Sequence, residues 1–169
     1  MRKVLLLLLF LPAILHAQTS ICGVDFGSSY SKAAQILENK FGDKDYLLSD
    51  KTKLVFKDKM YAGRMWDRMI FMFQSDGYKQ YLNRAILTRE CSTASKAKEV
   101  RDAIKAQMED KYFIVEGTDE KTGFKYYVGG TDPTDSQRYG FSIDIIKYDS
   151  GDYGVRIDYG PYNYVTEEL

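Results

Sequence analysis

The chain has a single histidine in 169 residues. It is His16, and it lies at the end of a leader that reads as removable. Once the leader is gone no imidazole remains to act as a general base, to complete a Ser-His-Asp or Cys-His arrangement, or to ligate zinc. A basic excess is also missing, because 24 Lys and Arg face 24 Asp and Glu. That balance gives no reason to expect nucleic acid or an anionic membrane as a partner. No glycine loop is spaced to cradle a phosphate, and Asp43-Lys44-Asp45 and Asp149 to Asp152 lack the full calcium-loop spacing. No cofactor and no metal are expected. With three prolines in all, and no Pro/Ser-rich stretch, nothing marks a flexible joint between domains.

The leader has three parts. Arg2 and Lys3 form a basic start, Leu5 to Leu15 is an apolar run broken only by Pro12, and small Ala17 follows at a cleavage position. This pattern predicts a secretory signal peptide over residues 1–17, with an apolar run too short for a comfortable membrane span. The mature protein would then keep 152 residues, with 22 basic against 24 acidic side chains. It is expected in the periplasm or outside the cell, with no membrane span after cleavage. Two cysteines in an exported chain read first as a disulfide between Cys22 and Cys91. Closing so long a loop is worth about 4 kcal/mol in the chain-entropy model. Buried free thiols, or a reactive thiol near a helix N-terminus, are the other readings.

What the chain does have is an approximate internal repeat. Ser31-Lys32-Ala33 and Ser95-Lys96-Ala97 each open an amphipathic helical stretch, and Tyr61-Ala62-Gly63 is echoed by Val128-Gly129-Gly130. Residues 18–91 and 92–169 are read as two tandem units. In the first, Tyr30, Ala33, Ala34, Leu37 and Phe41 recur at helical spacing up to Gly42. In the second, Ala97, Val100, Ile104 and Met108 form the apolar stripe, capped by Ser92 or Thr93. Strands are predicted at 53–57, 60–66, 69–74 and 80–88, then at 112–116, 124–129, 138–148 and 153–159, with tight turns that imply antiparallel neighbours. The expected fold class is α+β: one antiparallel sheet of about eight strands with both helices on one face, in one compact body.

Alternation assigns faces to these strands. Tyr139, Phe141, Ile143 and Ile145 share one side, and Tyr153, Val155 and Ile157 do the same in the last strand. These predict the side packed under the helices. Met69, Phe71 and Phe73 alternate with Ile70 and Met72, so that strand is apolar on both sides. It is either a covered central strand or a strand with a greasy open face, which would be a candidate binding surface. Trp66, the only tryptophan, is either a core plug or an interface anchor. Tyr127 joins the candidate surface, among fourteen tyrosines that suit both half-buried strands and interfaces. Asp119, Glu120 and Lys121 tip a long hairpin as solvent decoration or as a contact finger. Asp144, Arg156 and Asp158 are expected together on the open face. A carboxylate hydrolase would need one of a pair with a raised pKa, whereas an arginine between them keeps both ionised, so the trio reads as an ion-pair ladder.

Gly23-Val24-Asp25-Phe26-Gly27, Phe41-Gly42 and Tyr61-Ala62-Gly63-Arg64-Met65-Trp66-Asp67, set within this helix-plus-strands repeat, resemble the β-lactamase-inhibitor-protein-like family of small exported bacterial proteins. The resemblance implies a curved sheet whose open face and hairpin tips contact a target protein. It does not imply β-lactamase inhibition, since no inhibitory loop matches residue by residue. The expectation is an exported, non-enzymatic binding module for an exported protein, an inhibitor of a periplasmic or secreted enzyme being one form of it. The alternative is a carbohydrate- or peptidoglycan-binding module that stacks sugars on exposed aromatics.

Overall fold

A computed structural model describes residues 20–75, 77–130 and 140–162. The expected signal peptide, Arg138 and Tyr139 lie outside those residues, as does the tail from 163 onward. A short ribbon of β1 (Ser20–Ile21) and β2 (Val24–Asp25) comes first, then α1 (Tyr30–Phe41). Ser29, in extended conformation, caps α1 by accepting the Lys32 N–H at 3.4 Å, and Gly42 stops it at φ 78°. Next come β3 (Lys53–Tyr61), β4 (Arg64–Ser75) and β5 (Gln80–Cys91). The second helix, α2 (Ala94–Glu109), is capped by Thr93, which accepts the Lys96 N–H at 3.1 Å. Ser31-Lys32-Ala33 and Ser95-Lys96-Ala97 thus occupy the second to fourth positions of their helices. The remaining strands are β6 (Ile114–Thr118), β7 (Lys125–Gly129), β8 (Phe141–Lys147) and β9 (Tyr153–Tyr159).

The architecture is α+β, with seven strands in one antiparallel sheet of order β3-β4-β5-β9-β8-β7-β6. The sheet has seven strands rather than about eight, because the residues predicted as strands at 53–57, 60–66 and 69–74 form only β3 and β4, and the β1–β2 ribbon is separate from it. Each helix leads into a meander, and the last strands of the two meanders, β5 and β9, pair at the centre with Leu87 opposite Ile157. Both helices bury their apolar stripes on the same side of this sheet, in one cluster. Two rows of paired residues run beneath them. One is Leu54, Phe71, Ala85, Tyr159 and Phe141; the other is Phe56, Met69, Leu87, Ile157, Ile143 and Tyr127. Every member of both rows is buried, each large apolar side chain being worth about 1.5–3 kcal/mol of transfer.

Three expectations need correction. The predicted strand at 60–66 holds a turn: Ala62 and Gly63 sit at φ 51° and 75°, the two-residue hairpin geometry with both central residues left-handed. Alanine rarely takes that conformation, so the sequence hid the turn. The predicted break between Trp66 and Met69 is instead a local fault in a continuous strand. Trp66 and Met69 both face the core, and the two residues between them face out. Opposite them Asp58 is at φ 52°, and the Asp67 carboxylate accepts the Glu90 N–H at 2.8 Å where the β4–β5 ladder has stopped.

The third correction concerns the cysteines, which form no disulfide: both are buried free thiols. Cys22 lies in the β1–β2 turn against Lys40 and Tyr61, and burial pushes its thiol up to about 12. Cys91 ends β5 beside Arg89, Asp67 and Lys96, and burial raises its thiol too. The two neighbourhoods share no residue. The two cysteines also sit at unequal distances from their helices, Cys91 three residues ahead of α2 and Cys22 eight ahead of α1.

Candidate functional site

The side of the sheet turned away from both helices is built from the alternate residues of the same strands. Across its middle, Val55, Ile70, Ile86, Asp158, Ser142 and Val128 stand opposite one another in turn. A neighbouring row holds Lys53, Met72 and Arg84, and another holds Lys57, Arg68, Thr88, Arg156 and Asp144. Ile70, Met72 and Ile86 are half-buried. The doubly apolar strand β4 is thus covered on one side only, and its other side contributes to an apolar strip in the first half of the sheet. This overturns the reading of β4 as a covered central strand.

A charged band adjoins that strip. Arg156 grips Asp144 through two bonds, Nε to Oδ1 at 3.0 Å and Nη2 to Oδ2. Arg84 grips Asp158 in the same way, Nε to Oδ1 at 2.8 Å and Nη2 to Oδ2. Each carboxylate raises the pKa of its guanidinium further. Forked pairs of this kind fix direction as well as charge. The sequence brought Asp144, Arg156 and Asp158 together correctly, but it missed Arg84, which is 74 residues from its partner Asp158. An arginine at an outward position of a neighbouring strand was the only available signal, and strand order is needed to use it.

Tyr127 and Trp66 do not belong to this face. Trp66 is 2 % exposed on the helix side, with its indole N–H donated to the Tyr61 carbonyl at 3.1 Å. Tyr127 is buried under α2 and donates its hydroxyl to Asp102 at 3.1 Å. Its parity with Ile143, the residue opposite, carried that information.

At the far end the sheet opens. β7 pairs with β8 over only three residues, Tyr127 to Gly129. Beyond them lies a cleft of about 170 Å³ lined by Asp119, Tyr126, Val128, Ser142 and Asp144, among others. Two sequence-chosen residues, Asp119 and Asp144, therefore meet at one opening. The Lys125 carbonyl accepts a bond from Arg101 Nη1 at 2.7 Å. Arg101 is 4 % exposed, and its guanidinium lies 5.3 Å from the centre of the Tyr127 ring. Asp119 is occupied by its own turn, accepting the N–H groups of Lys121 and Thr122 at 2.8 and 3.0 Å, and these bonds lower its pKa. Glu120 and Lys121 are exposed at the tip.

Two tyrosines complete the face by lying over glycines. The ring of Tyr126 fills the space a Cβ on Gly117 would take. Tyr148 covers Gly154 in the same manner, with its hydroxyl 2.6 Å from that position. Glycine allows this close approach in a strand, and the ring replaces the missing packing. Among the described residues no group of three His, Cys, Asp or Glu is placed to hold a metal ion, and no helix is long and apolar enough to cross a membrane. Comparison of the chain with protein-family models, with curated proteins and with solved structures finds no match to any of them.

Proposed function

We propose that the chain is an exported, non-enzymatic binding module that engages a folded protein through the helix-free face of its sheet and the β6–β7 tip. The reading includes the secretory leader, and it follows the mode of binding that the inhibitor-like resemblance implies. One observation carries it: half-buried Ile70, Met72 and Ile86 lie beside guanidinium groups whose direction is fixed by paired carboxylates. An apolar strip bordered by fixed charge loses little side-chain entropy on binding, which favours recognition of a rigid surface. An inhibitor of a periplasmic or secreted enzyme is one form of such a module.

The test is retention of a partner from the producing organism's periplasmic or secreted fraction, compared with an Ile70→Lys/Met72→Glu double variant. The immobilised mature protein should hold one partner in stoichiometric amount. The double variant should lose it at an unchanged melting temperature, because both positions are only half-buried. Equal retention by both proteins, or none across growth conditions, sinks the proposal.

A glycan-binding reading rests on Tyr126 and Tyr148, whose rings are held over glycines in the way a stacking platform needs. It loses Trp66, which is buried in the core. Ring-proton shifts of the two tyrosines across a panel of glycans test it, and unmoved signals count against it.

A further inference from the structure

A second cleft lies away from the open face, at the N-terminal end of α1. It measures about 800 Å³ and is walled by the segment from Asp25 to Lys32 and by Lys79 to Tyr81. Its frame is stitched by the backbone: Gly27 N–H donates to the Leu82 carbonyl at 2.8 Å, and Leu82 N–H returns to Ser28 at 2.8 Å.

Two features of this cleft are unused by the fold. Ser28 is 7 % exposed and lines the cleft, and its hydroxyl makes no hydrogen bond among the described residues. A buried hydroxyl without a partner is costly, and such groups are uncommon. The first turn of α1 is also under-capped. The Lys32 N–H reaches Ser29 Oγ only at 3.4 Å, the Ser31 N–H has no acceptor among the described residues, and no acidic side chain occupies that turn. Free N–H groups at the start of a twelve-residue helix attract an anion.

The lining adds selectivity. Among the described lining residues, Lys32 and Lys79 set against Asp25 leave one positive charge, which matches one carboxylate better than a doubly charged phosphate. Phe26, Tyr30 and Tyr81 supply aromatic wall for an apolar body. We infer that this cleft binds a small organic monocarboxylate, with the acid group on the α1 N-terminus and the Ser28 hydroxyl, and an apolar ring against Phe26, Tyr30 and Tyr81. The site is separate from the sheet face proposed above, and either can fail without the other.

Benzoate is the probe, with neutral benzamide and inorganic phosphate as comparisons, titrated into the mature protein and followed by backbone amide shifts. Benzoate should saturate the Ser31 and Lys32 amides at millimolar concentration. Benzamide and phosphate should each bind at least about tenfold more weakly, the worth of one charge-assisted hydrogen bond. Ser28→Ala should weaken benzoate by about tenfold on the same ground. Lys32→Glu, an exposed change, should abolish binding without altering the fold. No saturation by benzoate, equal binding of benzamide, equal or tighter binding of phosphate, or indifference to both substitutions overturns the inference.

Discussion

Ala33 and Ala97 hold the same position in their helices, yet one turn further on the halves diverge. α1 buries Leu37 there, and α2 buries Arg101. Leu37 meets an apolar cluster, while Arg101 meets the Lys125 carbonyl where the β7–β8 ladder gives out. The same contrast recurs at the sheet margins. In the second half the helix is followed by β6, an edge strand bound to β7. In the first half the counterpart is the link at residues 42–52, which touches the edge of β3 through Asp45 N–H to Val55 O at 2.8 Å. The first half is therefore closed by apolar packing. The second carries an added edge strand and needs a buried cation to hold a strand that leaves its neighbour. Its cleft, its long tip and its Tyr126 platform all follow from that departure.

The strongest way to break this comparison is to ask whether the halves share one core. Phe71→Ala in the first half and Phe141→Ala in the second should each cost about 3–5 kcal/mol, since both rings are buried. Both should shift a single transition. Trp66 fluorescence, from a β4 residue that shares a pocket with Ile104 and Met108 of α2, should melt together with far-UV circular dichroism in the Phe141→Ala protein. A Trp66 transition left at its original temperature would mean two independent cores.

A smaller effect tests the leucine–arginine exchange. Arg101→Leu restores the first half's residue but leaves the Lys125 carbonyl without its donor, at a cost of about 2 kcal/mol. Hydrogen exchange should quicken in β7 and stay slow in β3. Unchanged stability and exchange would make Arg101 a passive filler.

The smallest effect separates the two connecting segments by pH. Asp45 and Asp119 each anchor a turn, and each has its pKa lowered. The chief cause differs: the bond from Lys57 for Asp45, and turn N–H groups for Asp119. A depressed folded pKa means that the unfolded chain binds protons first. The stabilisation is then complete above the unfolded value of about 3.9 and fades as pH falls through the lower folded values. Carboxyl titrations by NMR should place both below the ordinary range. Salt should raise Asp45 toward that range and leave Asp119 nearly unmoved. Equal salt responses would contradict the assigned causes.

How much of this was legible depended on distance along the chain. The helices could be read because stripe, cap and stop all lie within one stretch, from Ser29 to Gly42 and from Thr93 onward. The inward faces of β8 and β9 could be read because alternation is local too. Trp66 and the 62–63 turn resisted, since both depend on residues with positive φ that carry side chains, and composition does not announce these. Arg84 and Arg101 resisted for another reason. Their partners are fixed by strand order and by where a ladder ends, which no single stretch encodes. The α1 cleft shares that property, because Ser28 and Lys79 meet only after β4 and β5 have formed.

The central pairing of β5 with β9 has a consequence in time. Leu87 and Ile157, which face each other across it, are 70 residues apart in the chain, and contacts between distant residues are slow to form. The β3–β4–β5 meander can assemble from local hairpins as soon as it is made, but its inner edge stays bare until residues 153–159 arrive. A bare edge strand is a template for pairing with other chains. During synthesis this protein's most hazardous surface is therefore the middle of its own finished sheet, guarded in the end by its last described strand.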